Sequence, residues 1–98
     1  MLPEKRNEGR FPMVTSVRYQ RIGSQLFSNS VGQNISDSGI GFISHEFFPV
    51  ATHLIFELQH PKTQEYLKTA GKIVWISSQP HSENFLVGAR FIEPVTPL

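Results

Sequence analysis

Ninety-eight residues, 39% of them hydrophobic and 17% charged, with no cysteine and a formal net charge of +1, describe one compact domain. The charged fraction is too low for a disordered chain, and the missing thiols exclude disulfides and thiolate metal sites. No apolar run approaches the roughly 18 residues that a helix needs to cross a bilayer. Met1-Leu2-Pro3-Glu4-Lys5-Arg6 lacks the apolar segment of a signal peptide, so a soluble cytoplasmic protein without membrane insertion is expected. The charge is unevenly placed: Lys5, Arg6, Arg10, Arg18 and Arg21 face only Glu4 and Glu8 in the first third. Guanidinium groups match phosphate bidentately and stack on flat rings. An anionic partner fits this bias, whereas a general nucleic-acid binder would be more basic overall.

In chain order, residues 1–12 read as an irregular arm. Pro3 and Pro12 bracket it, Gly9 interrupts it, and Arg6 and Arg10 stand four apart. The arginines share one side of a helical turn or lie at most about 13 Å apart in an extended arm. Residues 13–98 read as the folded body. Met13 to Ile22 alternates as a first strand, and Gly23-Ser24 turns it. Leu26 to Ile35 returns as a polar strand in which Gly32 marks a bulge. Asn34-Ile35-Ser36-Asp37-Ser38-Gly39 is a polar turn that feeds a third strand, Ile40 to Ser44. Asn34 and Ser36 are two apart, so an extended backbone sends both to one face. There they either close a turn and nothing more, or present an amide and a hydroxyl to the edge of a base.

His45 to Thr52, with Phe47-Phe48-Pro49, is expected to lie over a barrel mouth. A fourth strand covers Leu54 to Leu58, and His60 to Gln64 turns the chain. A long strand runs from Tyr66 to Ser77, kinked or bulged at Gly71. Ser78 to Asn84 is a loop, Phe85 to Ile92 closes the set, and Pro94 and Pro97 end the chain without a helix. Short strands separated by Gly, Pro, Ser and Asn turns indicate an all-β antiparallel barrel or sandwich.

Catalytic chemistry has little to stand on. His45, His53, His60 and His81 are scattered, without the spacing of a metal site. Ser36, Asp37 and His45 lack a nucleophile elbow, carboxylates are few and dispersed, and no phosphate-binding glycine loop occurs. The eight Phe residues fall at strand spacing, which favours a core over an RNA-stacking platform. No enzyme, metal or cofactor is expected.

Arg6-Asn7-Glu8-Gly9-Arg10 followed by Asn34-Ile35-Ser36-Asp37-Ser38-Gly39 resembles the two-part signature of the PilZ domain, RxxxR and then D/N-x-S-x-x-G. Gly71-Lys72-Ile73-Val74-Trp75 and Val87-Gly88-Ala89-Arg90-Phe91 look like the later strands of that family. The resemblance implies a six-stranded antiparallel β-barrel that binds cyclic di-GMP, with a flexible ligand-binding arm over 1–12 and the barrel over 13–98. It implies that Arg6 and Arg10 hold phosphate and guanine, that Asn34 and Ser36 contact a guanine, and that Gly39 leaves room for the turn to close. Lys5 before the first arginine accompanies, in such a domain, a stacked ligand pair. Asn34 stands where the family more often has Asp, and the chain ends without the C-terminal helix of many members, which suggests a minimal adaptor. Three functions follow. The first is a non-catalytic cyclic di-GMP receptor that signals to a protein partner by reordering its arm. The second is a ligand-independent adaptor of motility or pilus machinery, and the third a small β-barrel RNA-binding protein.

Overall fold

Val17 and Tyr19, like Leu54, Phe56 and Leu58, fall at alternate positions, and a pleated strand sends such residues to one side. In the computed structural model, which describes residues 15–98, all five are buried. Six strands form the wall: β1 (Thr15–Arg21), β2 (Ser28–Ile35), β3 (Gly39–Ser44), β4 (His53–Gln59), β5 (Tyr66–Ser78) and β6 (Phe85–Phe91). A seventh, β7 (Thr96–Pro97), pairs with Leu67 and Lys68 of β5. Every pairing is antiparallel, in the order β4-β1-β2-β3-β6-β5, and β4 also pairs with β5. The sheet therefore closes on itself as the expected six-stranded barrel, and the described residues contain no helix.

The enclosed face is a chain of rings. Phe48, Tyr19, Phe42, Phe56 and Phe91 make successive edge or tilted contacts, with centroids 5.1 to 6.3 Å apart, the arrangement that aromatic quadrupoles favour. Phe48 comes from the β3–β4 connection and is buried, so that segment does cover one end of the barrel. The Tyr19 hydroxyl accepts the His45 N–H at 3.3 Å and lies 3.4 Å from Ser44 Oγ. Ser44 Oγ in turn donates to the Glu46 carbonyl at 2.6 Å. Thr15 Oγ1 donates to the Gln59 carbonyl, and Thr69 Oγ1 to that of Glu93. No buried side-chain nitrogen or oxygen among the described residues lacks a partner, as a low-dielectric interior requires.

Several boundaries differ from the sequence expectation. Leu26 is 80% exposed and stays outside β2, which begins at Ser28 after a longer turn through Gly23 at φ +97°. The bulge expected near Gly32 is present, as a register shift between Gly32 and Asn34. The bulge expected at Gly71 is elsewhere, between Ile73 and Trp75. Ile73 is fully buried and Ile76 packs on the core, while Val74 and Trp75 between them are both exposed. One extra residue at this point lets two large side chains leave the core face together. Gly71 has a different role: a Cβ there would stand 2.8 Å from Phe56 Cε2 and 3.1 Å from the Arg90 carbonyl oxygen. Its missing side chain makes room for a core ring.

Gly71→Ala should therefore destabilise the barrel by about 1–3 kcal/mol, the usual cost of overpacking. Phe56→Leu in the same chain should recover part of that loss relative to the sum of the single variants. Urea denaturation of the four proteins of this cycle measures it, and strictly additive losses would show that the ring is not what Gly71 accommodates.

Candidate functional site

The register places four residues in one line across the outside of the wall. Asn34 of β2 lies opposite Gly41 of β3, Gly41 opposite Gly88 of β6, and Gly88 opposite Trp75 of β5. The neighbouring line, Ile35–Ile40–Ala89–Ile73, is buried and forms part of the core. One line thus anchors the wall, and the next stands outward as a floor between an amide and an indole.

The two glycines give this line its shape. A Cβ on Gly88 would stand 2.2 Å from Trp75 Nε1 and 2.3 Å from Cε2, so the indole rests directly on the bare backbone of β6. A Cβ on Gly41 would meet nothing nearer than 3.9 Å, with Asn34 Cβ and Nδ2 among the nearest atoms, so the middle of the floor is open. Over it lies a cleft of about 380 Å³ whose lining includes Asn34, Ser36, Ser38, Gly39 and Trp75. Trp75 is 45% exposed, a large apolar ring presented to solvent with only one face covered.

The polar end of the cleft is the β2–β3 turn. Ser36 N–H donates to the Gly39 carbonyl at 2.9 Å, and Ser38 N–H donates to Ser36 Oγ at 3.3 Å. Ser36 Oγ also lies 3.2 Å from Ser38 Oγ. The Ser36 hydroxyl thus shapes its own turn and at the same time lines the cleft. The Asn34 amide is exposed and makes no side-chain hydrogen bond with any described residue, so its acceptor and both donors are available. Asp37 is exposed at the tip of the turn. A Cβ on Gly39 would fall 2.4 Å from the Ala89 carbonyl oxygen, so glycine here is required by the close approach of β3 to β6.

Asn34, Ser36 and Gly39 are thus brought together in one cleft. Lys5, Arg6 and Arg10 lie outside the described residues, as does the arm over 1–12. β1 enters the wall at Thr15, opposite Gly32, and runs antiparallel to β2. Trp75 was not singled out from the sequence as a site residue. The signal available was a lone tryptophan in a strand with too many large side chains for one face. Its partners Gly41 and Gly88 are remote in sequence and become its neighbours only through pairing.

Because Trp75 is the only tryptophan of the chain, its fluorescence reports this floor alone. Gly88→Ala should lift the indole from the strand, shift its emission to longer wavelength and raise its quenching by acrylamide. Gly41→Ala should leave both signals close to wild type. Equal spectra for wild type and Gly88→Ala would show that the indole does not depend on the bare backbone beneath it.

Comparison with known proteins gives a family and solved structures of similar fold. The model of the PilZ domain matches residues 4–97. The structure of the Bacillus subtilis inhibitor of motility, MotI/DgrA, superposes with a TM-score of 0.72 at 20% sequence identity. That superposition covers 87% of this chain and 41% of that protein, so this chain spans less than half of its length. No curated protein matches the chain significantly. A match along nearly the whole sequence, on a six-stranded barrel with the turn motif at the edge of its outer cleft, settles the family: the chain is a member of the PilZ domain family.

Proposed function

We propose that this protein is a non-catalytic receptor for cyclic di-GMP, and that the Asn34–Gly41–Gly88–Trp75 line is the floor on which a guanine lies. A purine needs a flat apolar face and groups that can answer its edge. The exposed indole supplies the first, and stacking of a base on an aromatic ring contributes roughly 1–3 kcal/mol. The free Asn34 amide supplies the second, with one acceptor and two donors. Gly41, between them, leaves the backbone open to a ring.

The phosphates fall to the arm. Arg10 is five residues from Thr15, a reach of at most about 17 Å, and Thr15 pairs with Gly32 just ahead of Asn34. Arg6 and Arg10 can therefore close over a ligand held in the cleft, with Lys5 beside them for a stacked second ligand. Closure orders the arm, and the charge-assisted contacts must exceed the entropy lost. An ordered arm then offers a protein partner a surface that the free protein does not. The solved relative is named as an inhibitor of motility, which favours a partner in motility machinery. A ligand-independent adaptor on the same barrel is the second reading.

Isothermal titration with cyclic di-GMP should give micromolar or tighter binding and quench Trp75. Arg6→Ala and Arg10→Ala should each weaken it about tenfold or more, since a hydrogen bond to a charged group contributes roughly 1.5–3 kcal/mol. Wild-type affinity in the double arginine variant would reject the arm's role, and no binding by the wild type would favour the adaptor.

A finer outcome concerns the turn. Ser36→Ala should lower affinity by about 1–3 kcal/mol while moving the free protein's Tm little, because the hydrogen bonds lost are solvent-exposed. Asn34→Asp should keep or improve binding, since a carboxylate accepts from the guanine N1 and N2 donors. A large loss on Asn34→Asp, in a folded protein, would mean that the amide's donors are used instead.

A further inference from the structure

The outer wall carries charged lines of two kinds. In one, Arg18 of β1 lies opposite Glu57 of β4, and Glu57 opposite Lys68 of β5. Signs alternate there, and Arg18 Nη1 stands 3.2 Å from Glu57 Oε1. In the other, Gly39 of β3 lies opposite Arg90 of β6, Arg90 opposite Lys72 of β5, and Lys72 opposite His53 of β4. Two full cations face each other across one strand pair, and among the described residues no carboxylate forms an ion pair with either. Like charges directly opposite in an antiparallel pair oppose folding, so this line has no purpose in the barrel alone.

Its position suggests one. Gly39 both lines the cleft and pairs with Arg90. Gly88, beneath the indole, and Arg90 are two residues apart on β6 and face the same way, about 7 Å along the strand. A ribose spans such a gap between a base and its phosphate. We propose that Lys72 and Arg90 form a phosphate-binding subsite on the barrel wall, which receives a phosphate of the nucleotide whose base lies on Trp75. This rests on the cyclic di-GMP reading above. It adds a cationic contact carried by the strands of the barrel itself. Lys72 is half-buried and Arg90 exposed.

The test uses the full chain, with cyclic di-GMP as titrant and a thermal melt of each free protein. Lys72→Glu places a carboxylate opposite Arg90, so the free protein should melt at the same temperature or higher. Its affinity should nevertheless fall about tenfold or more, the loss of one charge-assisted contact. Lys72→Arg should bind like wild type. A residue with only a structural role would move the two readouts in the same direction. The double variant Lys72→Gln, Arg90→Gln repeats the test without a new charge, and it too should lose affinity without losing Tm. If the wild type binds and both the Glu and the double Gln variants bind equally well, this subsite is overturned and the receptor reading stands. If the wild type does not bind cyclic di-GMP, both fall together.

Discussion

Closure of the sheet through β4, which pairs with β1 along one edge and with β5 along the other, is the constraint on which the rest of the structure depends. An open six-stranded sheet would have two edges and a core face too wide for its own side chains to cover. Closed, the same strands turn Tyr19, Phe42, Phe56 and Leu54 toward one another and bury them almost completely. Closure also fixes what happens outside. Once the registers are set, each outward residue has a defined neighbour on the next strand, and the wall becomes a series of transverse lines.

Those lines differ in what they can do. Arg18–Glu57–Lys68 is self-satisfied and adds a little to stability. Asn34–Gly41–Gly88–Trp75 is incomplete, with an amide at one end, a half-covered indole at the other and bare backbone between. Gly39–Arg90–Lys72–His53 carries two cations that form no ion pair with a carboxylate among the described residues. Functional surfaces in rigid folds are made of such unfinished groups, because the scaffold has already met the entropic cost of holding them in place. The glycines show how closely fold and site are joined. Gly71 yields to Phe56 inside, Gly39 to the Ala89 carbonyl between strands, and Gly88 to Trp75 outside.

Much of the barrel was legible in the chain. Alternation at Val17 and Tyr19 and at Leu54, Phe56 and Leu58 marked the strands, and both motif halves could be read in order. Where the reading failed, packing was the cause. Gly71 is an interior glycine in a long strand, and a bulge is the usual meaning of that pattern, but the approach of the Phe56 ring from the paired strand β4 explains it better. The true bulge at Val74 carries no glycine. It follows from the need to hold Ile73 in the core while Trp75 stands outside. β7 is only Thr96–Pro97, too short for any periodicity to announce.

By itself the sequence determined the strand pattern, the single core, the polar turn and the two motif halves, because these depend on residues near one another along the chain and on the two-residue period of a strand. Tertiary structure alone decided that Asn34 and Trp75 close the two ends of one floor, and that Lys72 faces Arg90 without a counter-charge among the described residues. Both results follow from strand register, which adds or removes a neighbour at each one-residue shift. Register is set by the joint packing of the whole core and by two bulges, not by any local run of residues.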